Sequence, residues 1–213
     1  RFTGMKPKYI LAALLWVGLI TFGVWRLMGS VGIHANQERQ ALAAEKDSKA
    51  AVNDFMGSLK AKLQASMQEG GPTHALNVCG DVAQEMTQNY ANEKGWYFRR
   101  TALRLRNPLN APDIYEKAWM ERTAFGSTAE VPIATYTKAV TNEEYVREYH
   151  LMEPIYVAEA CLVCHGSSQQ IPDEVEDLLA EKYPSDSAID FKVGEFRGIL
   201  SIRIPLPDEE LGE

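Results

Sequence analysis

The chain has 213 residues and a formal net charge of -7, enough for one membrane segment and one domain with a real core. An acidic balance repels phosphate backbones and excludes nucleic-acid binding as a class, whereas it is compatible with docking a basic redox partner protein. Three cysteines, Cys79, Cys161 and Cys164, are too few for a disulfide scaffold and point to metal or cofactor chemistry instead.

From Tyr9 to Trp25 the chain reads YILAALLWVGLITFGVW without a charge, an apolar run of the length a bilayer requires. Arg1, Lys6 and Lys8 precede it, so the positive-inside rule keeps the N-terminus cytoplasmic and places the chain beyond about residue 30 in the periplasm. Ile33-His34-Ala35 is a poor cleavage site because Ile is bulky at its first position, which favours an uncleaved anchor in the inner membrane. Residues 1–30 are therefore read as an anchor, 31–70 as a helical stalk and 71–213 as a folded domain.

Asn36 to Glu69 carries Val52, Phe55, Met56, Leu59, Leu63 and Met67 at three- and four-residue steps, the stripe of an amphipathic helix. An ordinary packing stripe explains it better than a cofactor role. Gly70-Gly71-Pro72 breaks that helix, and Thr73 caps a second one running to about Tyr90. On it Leu76, Cys79, Val82, Ala83, Met86 and Tyr90 share a face, so the Cys79 thiol is expected among apolar side chains.

Trp96 to Leu103 alternates as a strand does, and residues 107–113 form a turn into a helix with Pro112 in its first turn, ending near Phe125. Ile133–Val140 and Tyr145–Met152 flank a hairpin turn, Asp173 to Tyr183 is a polar helix, and Arg197 to Ile204 is a last strand. Four strands with helices before and between them predict an α+β domain on an antiparallel sheet.

Cys161-Leu162-Val163-Cys164-His165 is the C-x-x-C-H pattern of covalent haem attachment. The two thiols reach both vinyl groups along one turn of chain, and the next residue lands beneath the iron as its proximal ligand. A thioredoxin-like pair does not need the histidine, and a zinc ribbon needs a second pair that is absent from the sequence. For the sixth iron position the candidates are Cys79, Met86, Met120, Met152, His74 and His150. Cys79 leads, since a thiolate there would stabilise the ferric state, and His150 is next. Arg99, Arg100, Arg104 and Arg106 offer positive charge for the haem propionates, Arg104 and Arg106 foremost.

With these residues in view, the chain resembles a family of single-haem c-type domains with a PAS-like sensor fold. The resemblance runs from about Val52 to Pro205 and rests on ALNVC around Cys79, RRTALRLRNPLNAPD from Arg99, EPIY from Glu153, CLVCHG from Cys161 and GEFRGILS from Gly194. It implies about five antiparallel strands with flanking helices, and a haem with His and Cys axial ligands, which fall on His165 and Cys79. Val157–Ala160 or Phe191–Val193 would supply the fifth strand. The function expected is electron transfer at the periplasmic face, as an accessory subunit of a respiratory or photosynthetic membrane complex, and not catalysis. The alternative is a haem-based redox or gas sensor that acts through a separate signalling partner.

Overall fold

The computed structural model describes residues 7–125, 133–141 and 144–207, and the side chains of residues 7–15, 27, 29, 30, 33, 123–125 and 133–146 lie outside that description. Two compact units divide the chain, one comprising Arg1–Ala43 with Glu209–Glu213 and the other Ala44–Asp208. Of the membrane segment read from the sequence, Tyr9 to Trp25, the side chains of residues 9–15 lie outside the described residues and those of residues 16–25 are described. Among the described residues no helix is long and apolar enough to cross a membrane.

Helix α1 is assigned over Pro7–Asn77 and is broken at Gly71, whose φ of 70° and ψ of -163° are not helical. This is where Gly70-Gly71-Pro72 predicted a stop, because glycine enters the left-handed region at little cost and the following proline cannot donate to the preceding turn. A π-helical turn, Val78–Val82, leads into α2, Ala83–Lys94. Gly95 ends α2 with φ 65°, its N–H bonded to the Ala91 carbonyl, a left-handed glycine cap.

Four strands are described: β1 Tyr97–Thr101, β2 Ile133–Thr141, β3 Glu144–Tyr156 and β4 Phe196–Leu206. They form one antiparallel sheet in the order β1-β4-β3-β2, with Tyr97 opposite Arg203, Leu151 opposite Ile202 and Ile133 opposite Met152. Neither segment expected to give a fifth strand is one: Glu159–Cys161 is a 3-10 turn, and residues 191–193 lie outside any strand. The hairpin residues 142–143 lie outside the described residues.

Between β1 and β2, Asn107 caps a 3-10 turn, Pro108–Asn110, and helix α3 comes next over Ile114–Phe125. The start of α3 departs from the sequence reading, for Asp113 is its cap rather than Pro112 being in its first turn. The Asp113 carboxylate accepts from the Tyr115 and Glu116 amides at 2.9 and 2.8 Å, and Glu116 accepts in return from the Asp113 amide at 2.9 Å. This reciprocal pair satisfies donors that the first helical turn leaves open. Helices α4, Leu162–His165, and α5, Asp173–Lys182, fall between β3 and β4.

One face of the sheet presents Phe98, Tyr149, Leu151, Leu200, Ile202 and Ile204 to Ala44, Ala51, Val52 and Phe55 of α1. On the opposite face Met152 and Ile199 pack against Trp119 and Met120 of α3. The period-two alternation along β3 and β4 is what lets one strand serve both layers. Beyond Phe55 the apolar stripe of α1 continues with Leu59, which still packs against this core, and with Leu63 and Met67, and all three line a cavity at the end of the sheet.

Gly198 lies at that sheet end, where β4 passes so close to β1 that a Cβ would collide with the Thr101 carbonyl oxygen. Because the obstacle is backbone, Gly198→Ala is expected to displace the β1–β4 pairing and cost about 1–3 kcal/mol. Urea unfolding of the purified protein reads this loss, and an unchanged midpoint would contradict the close approach.

Candidate cofactor site

Residues from α1, the π-helical turn, β1, the loop after β1, the end of β3, α4 and β4 enclose a cavity of about 920 Å³. That is a volume at the upper end of the range of roughly 300–1,000 Å³ found for small-molecule and cofactor sites. Leu59, Leu63, Met67, Ile155 and Val157 give it apolar walls, and Cys79, Cys161, Cys164 and His165 all line it. The structure thus brings together the four residues that the sequence nominated, although Cys79 is separated from the other three by about eighty positions in the chain.

The C-x-x-C-H segment is a 3-10 turn running into α4, so both thiols and the imidazole are presented on consecutive turns. A loop over residues 186–191 clasps it from behind. Asp190 and Phe191 donate their amides to the Gly166 and His165 carbonyls at 2.8 and 2.9 Å. Gly166 is required at the exit of the motif, since a Cβ there would lie 2.6 Å from the Leu162 carbonyl.

His165 Nδ1 is 2.6 Å from the Ala188 carbonyl oxygen. A carbonyl can only accept, so Nδ1 carries the proton and the Nε2 lone pair is the one left for a metal, the arrangement found behind most metal-ligating histidines. Burial, with the positive charges of Arg106 and Arg197, pushes the imidazole pKa down to about 3. The ring is neutral at any ordinary pH and able to ligate.

Cys79 is half-buried and lies in the π-helical turn rather than in a regular helix. The inserted residue of such a turn re-aims the side chains around it. Leu76 and Ala83 point into packed surroundings as the helical face predicted, whereas Cys79 lines the cavity. Burial pushes the Cys79 thiol above its ordinary pKa, and burial also raises that of Cys164, to about 11. Without a metal or alkylating partner both are thiols, and metal binding at Cys79 would release its proton.

The other candidates for the sixth position are elsewhere. Among the described residues, none of His74, Met86, Met120, His150 and Met152 lines the cavity. His74 is exposed, His150 Nε2 is hydrogen-bonded to Ser201 Oγ at 2.9 Å, and Met120 and Met152 belong to the core under α3. Two methionines that sequence reasoning passed over, Met56 and Met67, do line it. The stripe of α1 held the signal, but spacing alone does not tell a packed face from a cavity wall.

The arginines divide. Arg106 is buried, pairs with Asp186 at 2.8 Å and donates to the Cys164 and Ala188 carbonyls at 2.5 and 3.2 Å, so it ties the motif to its clasping loop while also lining the cavity. Arg104 does not line it. Its guanidinium lies over the Phe191 ring, 3.8 Å from the centroid, and its Nε donates to the Ser187 carbonyl. Arg100 and Arg197 are cavity-lining, and Arg197 went unnoticed in the sequence because nothing local sets it apart from a solvated strand residue.

Three thiols, an imidazole with a free lone pair and buried guanidinium groups line one largely apolar cavity, a set that fits a haem. In comparison with known proteins, the sequence profile of the Tll0287-like family matches residues 35–205. The crystal structure of the cyanobacterial heme-protein Tll0287 is similar at 25% sequence identity and a TM-score of 0.51, with 76% of this chain and 98% of that chain covered. No curated protein matches. Because the profile covers residues 35–205, including the cysteine motif and nearly all of the four described strands, the chain belongs to the Tll0287-like family.

Proposed function

We propose that the chain is a membrane-anchored monohaem c-type cytochrome that transfers electrons at the periplasmic face. The observation that carries this reading is the meeting of Cys79, Cys161, Cys164 and His165 on one cavity, with the His165 Nδ1 proton already committed to Ala188. The similar cyanobacterial structure is that of a heme-protein, which supports the same cofactor here.

When bound, haem c supplies a one-electron ferric/ferrous couple. Cys161 and Cys164 would hold the ring through thioether bonds, while His165 would ligate the iron through Nε2 and Cys79 would be its second protein ligand. Leu59, Leu63 and Ile155 line the cavity and would shield the ring from water. The PAS-like reading is supported by the four-stranded antiparallel sheet of the described residues, with helices on both faces.

The membrane anchor is supported by the exposure of Trp16, Leu19, Ile20, Phe22 and Trp25 on α1, an apolar surface that water disfavours and lipid does not. An anchored haem domain suits a partner fixed in the same membrane, and we assign that role to a redox protein or an electron-transport complex of a respiratory or photosynthetic kind. The sensor reading is favoured by one feature, the placement of Cys79 in a π-helical turn, a geometry that can relax if the ligand leaves. Carbon monoxide separates the two: a carrier with both positions filled resists the gas in the ferrous state, and a sensor binds it readily.

Acidified acetone tests covalent attachment directly. Pigment is expected to stay with the polypeptide, and the double variant Cys161→Ser/Cys164→Ser is expected to release it entirely. A colourless protein, or one that loses its pigment without those substitutions, would overturn the proposal.

A further inference from the structure

We infer that Arg100, Arg106 and Arg197 form a carboxylate-binding subsite of the cavity that takes the propionate side chains of the haem, an inference that rests on the haem reading above. Three guanidinium groups from β1, the following loop and β4 line one cavity. Among its described lining residues there is no aspartate or glutamate, and Lys60 adds a further positive charge.

The hydrogen bonds these arginines make leave donors over. Arg100 gives Nη2 to the Cys79 carbonyl at 3.3 Å, while its Nε is buried without a partner. Arg106 uses Nε and Nη2 on Asp186, Cys164 and Ala188, while its Nη1 is buried without a partner. Arg197 gives Nη1 to the Arg104 carbonyl. Burial, and then the neighbouring charge of Arg106, pull the Arg197 pKa down to about 10.

Buried cations cost several kcal/mol each unless an anion answers them, and Asp186 answers one. The planar fork of each guanidinium is matched by a carboxylate, and haem brings two. Arg104, equal to Arg106 as a sequence candidate, has no part in this subsite, since it does not line the cavity; its guanidinium lies 3.8 Å from the Phe191 centroid, against 5.4 Å for that of Arg197, which does line it.

The test uses the full haem-loaded chain and begins with acidified acetone, so that absence of covalent haem registers as failure of the haem reading itself. Resonance Raman then reads the propionate bending band in the wild type, Arg100→Gln, Arg197→Gln and, as control, Arg104→Gln. In the wild type the band is expected away from the position of haem with water-solvated propionates. It should move towards that position in Arg100→Gln and Arg197→Gln, with a lower reduction potential because a positive charge near the iron is lost, and stay in place in Arg104→Gln. A wild-type band already at the solvated position, or an equal shift in Arg104→Gln, would overturn the subsite. The wild-type spectrum decides the matter even where a variant fails to fold, and Arg100→Lys should retain most of the band displacement.

Discussion

Cys79→Ser should abolish the thiolate signature in the absorption and electron paramagnetic resonance spectra of the ferric protein and raise its reduction potential. The direction comes from charge. A thiolate on the iron adds a negative charge that favours ferric over ferrous, and a neutral hydroxyl or an open position does not. Axial ligands move haem potentials over roughly 0.8 V, so a rise on the order of a tenth of a volt or more is expected here. The ferrous variant should also bind carbon monoxide, which the wild type resists if both axial positions stay filled. An unchanged ferric spectrum would remove Cys79 from the iron and leave Met56 and Met67, the sulfur-bearing side chains along the cavity outside the C-x-x-C-H motif, as the ligands to replace next.

Phe55→Ala should cost roughly 3–5 kcal/mol, the usual loss for emptying a buried aromatic site. Phe55 is wholly buried and meets Phe98 edge-on at 5.1 Å and Tyr90 at 6.0 Å between ring centroids. It therefore joins α1 and α2 to the sheet at one point. Against a total of about 5–15 kcal/mol for a domain, the loss would be a large part of the stability, read as a fall in the urea midpoint. Because Met56 follows it and Leu59 lies four residues on along α1, both lining the cavity, loosening this contact should also broaden the haem environment and make the spectrum heterogeneous. Ile114→Ala, at a position 77% exposed, should change stability by less than about 0.5 kcal/mol. A loss below about 1 kcal/mol for Phe55→Ala would show that α1 does not dock on the sheet in this way.

What could be read from the chain was whatever is encoded over a few neighbouring residues. The cysteine pair and the next histidine name their own chemistry because the spacing of thioether and imidazole groups is set within one turn. Gly70-Gly71-Pro72 marked a break because a left-handed residue followed by proline cannot continue a helix, and alternation marked β1, β3 and β4 because one face of each must be buried.

Tertiary structure decided everything that depends on what lies opposite. The stripe of α1 announced a covered face, yet its first part meets a sheet and its second part a cavity, a difference that periodicity does not encode. Arg104 and Arg106 are two residues apart and alike in sequence, but Arg106 meets Asp186, eighty positions on, and enters the cavity, while Arg104 stacks on Phe191. Cys79 was legible as a thiol on an apolar helix; its place on the cavity comes from a π-helical turn that local propensity does not signal. The residues by themselves specify which groups can react, and the packing of distant segments determines which of them share one enclosed space, since only there does low polarity make a lone pair, a thiol or an unanswered charge consequential.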